Sequence, residues 1–200
     1  MSRSVRCIAV TAVVVTIVGA RAATAGPLDA PGATKTLTCT ACHGPGGQSP
    51  SNTMPILAGM SPAYFKRAIE DYAAGKRPST EMEPYAKMVL QMGVDDVAGY
   101  FAAQRRAATA IAVDAAAAER GRAAAGECMQ CHKAQTTTVG QRIVPELRGQ
   151  PPGYLLNQMR LFKQNRRSPG DEDLTKVKEI MHRIPDDTLA DLAAYWSSAK

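Results

Sequence analysis

The chain has 200 residues, 45% of them hydrophobic, but only three Phe and one Trp. A core built largely from Ala buries too little apolar area to offset the ordering entropy of one or two small domains, so something other than side chains is expected to fill the interior. The net charge of +6 falls to +3 without the first 25 residues, which is too small to indicate nucleic acid as a partner.

The N-terminus has the pattern of a secretory leader. Arg3 and Arg6 precede an uncharged, mostly apolar run over residues 7–19, and the small residues 23–25 form a cleavage site. The apolar run is shorter than the roughly 18 to 20 residues of a membrane anchor. We therefore predict that residues 1–25 are a signal peptide, that the protein is exported to the periplasm, and that it has no stable membrane insertion.

The first chemical motif is Cys39-Thr40-Ala41-Cys42-His43. Two thiols at this spacing can add to the vinyl groups of one haem, and the adjacent imidazole can bind its iron from one side. A zinc site would need a fourth ligand, and a redox-active CxxC pair expects a βαβ setting that the pattern lacks. The motif therefore predicts covalent haem attachment through Cys39 and Cys42, with His43 as a ligand to the iron.

Helical patterns follow the first motif. Ser61 and Pro62 suit the start of a helix, and Gly75 suits its end. One face of this middle helix is apolar and carries Phe65, Ile69 and Tyr72. A terminal helix follows, with Val97 and the aromatic pair Tyr100 and Phe101.

The whole pattern then repeats. A second motif, Cys128-Met129-Gln130-Cys131-His132, lies 89 residues after the first, and residues 145–149 repeat the Pro-x-Leu-x-Gly pattern of residues 55–59 at an offset of 90. We therefore predict a second haem bound by Cys128 and Cys131, with His132 on its iron. The predicted fold is all-α, in two tandem domains with one covalent haem c each. Its parts are the signal peptide 1–25, domain one 26–107, an Ala-rich linker 108–118 and domain two 119–200.

The number of histidines limits which residue can be the second axial ligand of each haem iron. The chain has three histidines, and two belong to the motifs, so the first haem has no second His in its own domain. Methionine ligation suits a cytochrome c of raised potential. Met82 is favoured because it lies in a Pro-flanked loop, and Met88 is the next candidate. The remaining methionines of this domain, Met54, Met60 and Met92, rank lower.

For the second haem, Met181 is favoured over its neighbour His182, which is expected to be an exposed loop residue. Met129 lies inside the attachment motif and Met159 on an apolar helical stripe, so both suit the role less well. A basic cluster nearby, Arg160, Lys163, Arg166 and Arg167, is interpreted as a solvated helix face rather than a docking site for an acidic partner.

The mature chain resembles the dihaem cytochromes c4 and the similar dihaem cytochrome subunit of flavocytochrome c sulfide dehydrogenase. The segments that carry the resemblance are residues 39–44, 55–59, 74–77 and 97–101, with 128–132, 145–149 and 192–196 in the second half. The resemblance implies two class-I cytochrome c folds packed face to face, with haems close enough to exchange electrons. It also implies axial methionines at Met82 and Met181.

With both axial positions filled, neither iron would have a vacancy for oxygen or peroxide, so we predict an electron carrier rather than an enzyme. The expected partners are redox proteins: a membrane oxidase or reductase complex, or a flavoprotein dehydrogenase. The alternative is an electron-accepting subunit of a sulfide dehydrogenase. An enzyme of its own, such as a dihaem peroxidase or thiosulfate oxidant, would need an open or unusually ligated iron.

Overall fold

A computed structural model describes residues 28–133, 137–139 and 142–199, so the predicted signal peptide lies outside the described residues. Helices dominate, in agreement with the predicted fold class. The helices are α1 (Thr40–His43), α2 (Pro62–Ala73), α3 (Met82–Met92), α4 (Val94–Ala102), α5 (Ala115–Ala124), α6 (Gly126–Met129), α7 (Pro152–Lys163), α8 (Thr175–Arg183) and α9 (Asp186–Ser198). Three short 3₁₀ segments, Ala33–Cys39, Pro45–Gly47 and Glu172–Leu174, complete the helical structure.

Helix α2 forms where the sequence predicted the middle helix. Pro62 occupies its first turn, where a missing N–H costs nothing. The chain leaves the helix through Gly75, which has a φ of +68° that residues with a side chain rarely adopt. The apolar face of α2 packs against α3 and α4 in the core of the first unit, and its buried residues are Phe65, Ile69 and Tyr72.

The first and last segments of each unit cross at a glycine. A Cβ atom on Gly32 would lie 2.3 Å from the Asp96 carbonyl oxygen, and one on Gly121 would lie 2.0 Å from the Asp191 carbonyl oxygen. Both glycines stand seven residues before the first cysteine of their motif. In the second unit this close approach joins α5 to α9, whereas in the first unit only the 3₁₀ segment Ala33–Cys39 meets α4. The repeat is therefore preserved at the crossing, although the first helix is shortened in unit one.

A small hairpin is the one departure from an all-helical structure within the described residues. Strands β1 (Thr137–Val139) and β2 (Arg142–Val144) pair antiparallel, with Thr138 opposite Ile143. Strands of three residues are too short to show the period-two pattern from which a strand is predicted.

Helix α5 begins inside the predicted linker 108–118. The Asp114 carboxylate accepts a hydrogen bond from the Ala116 N–H at 2.9 Å and caps the helix, so that Ala115 is its first residue. The preceding chain is not a free tether, because the Thr109 N–H donates to the Gly149 carbonyl at 2.8 Å. The structure therefore places the last four residues of that segment in the second unit's first helix.

The two units meet through close polar contacts at the loops near their motifs. The Gln150 side chain both accepts from the Ile56 N–H at 2.9 Å and donates to the Ile56 carbonyl at 2.8 Å. The start of α7 sits on Asn52, whose carbonyl accepts from the Tyr154 N–H at 3.0 Å. Because buried main-chain groups of one unit are satisfied by the other, the relative placement of the units is specific.

Candidate haem sites

The first CxxCH motif folds into a single helical turn. The Gly44 N–H donates to the Thr40 carbonyl at 3.0 Å and closes α1. Cys39 is partly buried and Cys42 is exposed, and both are free thiols, as is Cys128. No disulfide closes the first motif, so its two thiols are available for thioether bonds.

The zinc alternative finds no support in the described ranges. No group of three or more His, Cys, Asp and Glu side chains there is arranged to hold a metal ion. Structural zinc requires such a closed set of four ligands.

Each motif histidine is held by the carbonyl of a proline. The Nδ1–H of His43 donates to the Pro55 carbonyl at 2.8 Å, and that of His132 donates to the Pro145 carbonyl at 2.9 Å. Burial lowers the pKa of both imidazoles, against the opposing effect of these hydrogen bonds, so both rings are neutral at physiological pH. A proton on Nδ1 leaves the Nε2 lone pair free for a metal. The Pro-x-Leu-x-Gly loop therefore orients the histidine. The proline recurs in both units, but the sequence pattern did not show that its carbonyl binds the histidine.

A cavity of about 510 Å³ lies beside the first motif. Cys39, Cys42, His43 and Met82 all line it. Most of the side chains around them are apolar, among them Leu57, Phe65, Ile69 and Val89. Two thiols, a neutral imidazole and a thioether on one apolar cavity are the donor set of a covalently bound haem, so the residues present fit that group.

The candidate methionines differ in whether they line this cavity. Met82 lines it, as do Met54 and Met60, whereas Met88 and Met92 are outside the described lining. Met82 is the first residue of α3 rather than a loop residue, which corrects the prediction. The reason is that the Ser79 hydroxyl accepts a hydrogen bond from the Met82 N–H at 3.1 Å and so starts the helix there.

Arg77 gives a second, independent indication of what the cavity holds. Its side chain lines the cavity and is only 2% exposed. Its guanidinium donates to the Gln158 side-chain oxygen at 2.9 Å and to the Tyr154 hydroxyl at 2.7 Å, and no carboxylate of the described residues pairs with it. A buried cation without an anion is costly. Haem carries propionate carboxylates that would offset this charge, which agrees with the fit of the other donors.

The second unit assembles a corresponding group of residues. Met181 is 7% exposed and belongs to the same core cluster as Cys128 and Trp196. The His132 ring packs edge-on against Trp196, with centroids 6.2 Å apart. His182 is exposed, as predicted, but it lies in α8 and not in a loop, because that helix continues to Arg183.

The basic cluster of the second unit is not a uniformly solvated face. Arg167 turns inward, where its guanidinium stacks 4.4 Å from the centroid of the Phe162 ring and donates to the Tyr64 hydroxyl at 3.3 Å. Lys163 donates to the Ile184 carbonyl at 2.7 Å. The interpretation therefore fails for Arg167, because the guanidinium contacts the Phe162 ring of its own unit and the Tyr64 hydroxyl of the first unit.

Comparison with known proteins agrees with the assignment of the two haem sites. A profile of the cytochrome c family, described as "Cytochrome c", matches residues 118–200. Cytochrome c4 of Pseudomonas aeruginosa is 28% identical over 83% of this chain and 86% of its own length. Cytochrome c-554(548) of Halomonas halodenitrificans is 35% identical over 38% of this chain and 94% of its own length.

The names of two further relatives refer to dehydrogenases. The thiosulfate dehydrogenase electron acceptor of Stutzerimonas stutzeri is 29% identical over 81% of this chain and 79% of its own length. The cytochrome subunit of sulfide dehydrogenase of Chlorobaculum tepidum is 38% identical over only 32% of this chain and 58% of its own length.

The fold has a close counterpart among solved structures. Reduced cytochrome c4 from Pseudomonas stutzeri superposes with a TM-score of 0.73 at 24% identity, over 84% of this chain and 97% of that one. The sequence matches, the two attachment motifs and the fold agree with one another. The chain belongs to the cytochrome c family, as a dihaem electron-transfer cytochrome with two covalent haems, homologous to cytochrome c4.

Proposed function

We propose that the chain is a periplasmic electron carrier whose haems are ligated by His43 with Met82 and by His132 with Met181. The observation that carries the proposal is the single cavity lined by Cys39, Cys42, His43 and Met82. In the second unit, the burial of Met181 in the core cluster against which Cys128 packs supports the equivalent assignment.

The domain limits and the location belong to the same proposal. Residues 1–25 would direct export, and units 26–107 and 119–200 would each hold a haem on either side of segment 108–118. The leader pattern of Arg3, Arg6 and the apolar run 7–19 supports a periplasmic location. In the described ranges, no helix combines the length and the apolar character needed to cross a bilayer.

The chain's own residues set the conditions for electron transfer. When bound, each haem supplies an iron that takes up and releases one electron between the ferric and ferrous states. Cys39 and Cys42 would tether the group, and the Pro55 carbonyl keeps the His43 Nδ1 protonated so that Nε2 can bind. The thioether of Met82 and the apolar wall favour the ferrous state, because neither stabilises the extra positive charge of the ferric iron.

The second unit closes the first site. Residues of α7 complete the lining of the first cavity, among them Tyr154, Gln158 and Leu161. This shared wall places residues of the second unit directly at the first site and supports electron exchange between the units. Each iron would have one histidine and one methionine as its two axial ligands. Both axial positions would then be filled, and an electron carrier needs no substrate site.

Spectroscopy and gas binding test the ligation. The oxidised holoprotein is expected to show a methionine-to-iron charge-transfer band and two reversible one-electron waves. Its reduced form is expected not to bind carbon monoxide readily. Ready binding of carbon monoxide at one haem, together with loss of that band, would contradict the carrier assignment and favour an enzyme with an open iron.

A second candidate function is an electron-accepting subunit of a dehydrogenase. The relative from Stutzerimonas stutzeri, named for accepting electrons from thiosulfate dehydrogenase, favours it over most of the chain. The sulfide dehydrogenase subunit favours it over a shorter part. Purification from the native periplasm distinguishes the two functions: a stable complex with a dehydrogenase supports the subunit, and a free dihaem protein supports the shuttle.

A further inference from the structure

The boundary between the units contains a reciprocal pair of contacts. Arg77 of the first unit donates to the Tyr154 hydroxyl of the second at 2.7 Å, and Arg167 of the second unit donates to the Tyr64 hydroxyl of the first at 3.3 Å. The two arginines are 90 residues apart, as are the two tyrosines, so the contacts repeat with the units. Each guanidinium also stacks on a ring of its own unit, at 4.5 Å from the Tyr72 centroid for Arg77 and 4.4 Å from that of Phe162 for Arg167.

Gln158 breaks this symmetry. Its side-chain oxygen accepts from the Nε of Arg77 at 2.9 Å and from an Nη of Arg167 at 2.7 Å. The equivalent position in the first unit, 90 residues earlier, is Ala68, which has no side-chain acceptor. One amide oxygen therefore serves two cations, and the methyl group of Ala68 cannot do the same at the equivalent position of the first unit.

The shared acceptor brings like charges together. The two bonded nitrogens of Arg77 and Arg167 lie within about 6 Å of each other, because both touch the same oxygen. Guanidinium groups at that distance repel one another unless a negative dipole lies between them. The carbonyl end of Gln158 supplies that dipole. Arg77 has a second strong anchor on Tyr154, whereas the Nε of Arg167 is buried without a partner.

We propose that Gln158 is a positioning residue that holds Arg167 beside Arg77 at the unit boundary and thereby makes the electrostatic surroundings of the two haems unequal. The inference rests on the proposed function, since it concerns the potentials of both haems. Gln158 and Arg77 both line the first cavity, whereas Arg167 is outside the described lining, so the two charges are placed differently with respect to the two haem sites. Positive charge near a haem favours the ferrous form, because reduction removes one positive charge from the iron.

The test is a spectroelectrochemical titration of the holoprotein carrying Gln158→Leu, which removes the acceptor and keeps most of the volume. Arg167 is then expected to leave the boundary, since its guanidinium keeps only the long 3.3 Å bond to Tyr64 and the stack on Phe162 of its own unit among the described contacts. One midpoint potential is expected to fall more than the other, so that the separation between the two waves changes. Arg167→Ala is expected to produce a shift of the same sign and size.

The double variant shows whether the two residues act together. If Gln158 acts by holding Arg167, Gln158→Leu adds little further shift in the Arg167→Ala background. Additive shifts would overturn the proposal, as would a Gln158→Leu protein in which both waves stay in place or move equally. A purely structural role would lower the thermal midpoint without changing the separation of the waves.

Gln164→Leu is the matched control. Gln164 directly follows α7, is exposed and is outside the described cavity lining, and within the described structure its side chain bonds to neither arginine. Both waves are expected to match those of the unsubstituted protein. A shift equal to that of Gln158→Leu would mean that the effect does not depend on the contacts of Gln158, and would overturn the proposal. The absence of two reversible waves in the unsubstituted protein would instead contradict the proposed function itself.

Discussion

Gly121 of α5 meets the main chain of Asp191 in α9 so closely that a Cβ atom would lie 2.0 Å from the Asp191 carbonyl oxygen. This crossing brings the first and last helices of the second unit together, and the Gly32–Asp96 contact repeats it in the first unit. A backbone neighbour has nowhere to move, unlike the end of a flexible side chain. The crossing is therefore a point where a single methyl group is expected to matter.

Gly121→Ala is expected to reduce the free energy of unfolding by about 3 kcal/mol, because the new methyl group forces the helices apart. Denaturant unfolding of the holoprotein measures the loss. Gly126→Ala is the control, since a Cβ there has nothing within 4 Å. That variant is expected to be neutral or stabilised by up to about 1 kcal/mol. Equal effects of the two substitutions would show that the crossing is looser than described.

Arg77→Gln is expected to cost about 2 to 3 kcal/mol, because it removes the donors that Gln158 and Tyr154 use at the unit boundary. Burial raises the pKa of Tyr154 to about 12, so its hydroxyl is a neutral acceptor for Arg77 at physiological pH. Chemical denaturation is the measurement. Arg105→Gln changes an exposed residue and is expected to alter stability by less than about 0.5 kcal/mol. A similar loss in both variants would contradict a specific role for Arg77.

Met82→Ala is expected to lower one of the two midpoint potentials by on the order of 0.1 V or more, because the raised potential depends on the thioether ligand. Loss of roughly half the charge-transfer absorption is expected with it. Redox titration and visible spectroscopy report both changes. Met88→Leu changes a methionine of the same helix that is outside the described cavity lining. If Met88→Leu removed the band and Met82→Ala kept it, the ligand assignment would be reversed.

Met181→Ala is expected to lower the other midpoint potential, since Met181 is buried in the core cluster of the second unit against which Cys128 packs. His182→Ala tests the rival ligand at the neighbouring position. His182 is exposed on α8, so its replacement is expected to leave both potentials and the spectrum unchanged. A change in either wave for His182→Ala would identify the imidazole as a ligand.

Acid is expected to weaken the α5–α9 contact. Hydrogen bonding to Arg120, at 2.7 and 2.8 Å, lowers the pKa of Asp191 below its usual value of 3.8. A lowered carboxyl pKa contributes stability above the pKa of the unfolded chain and loses it as the pH falls through the folded value. Asp191→Asn is thus expected to be less stable than the parent at pH 7, and the difference is expected to disappear as the pH falls through the lowered pKa of Asp191.

Unfolding midpoints measured from pH 7 to pH 2 test this expectation. Glu70→Gln provides the control, because Glu70 forms no ion pair within the described part of the chain. Its difference from the parent is expected to stay small at every pH. A gap for Asp191→Asn that remained constant down to pH 2 would mean that the pair contributes through packing and not through charge.

Local patterns were sufficient for much of the fold. The stripe Phe65, Ile69 and Tyr72 predicted α2, because helix periodicity is a property of neighbouring residues. The hairpin around residues 137–144 was missed since its strands have three residues each. The start of α3 at Met82 was missed because it depends on a hydrogen bond from the helix N–H to the Ser79 hydroxyl.

The sequence by itself determined the covalent chemistry: two CxxCH motifs set the thiol and imidazole spacing within five residues, and three histidines left none spare for the first haem. Only the tertiary structure decided how the two units face each other. Arg77 and Tyr154 are 77 residues apart, and Gln158 reaches both arginines only after α7 has packed across the boundary. Contacts between separate units depend on their packing, and neither residue spacing nor periodicity encodes that packing locally.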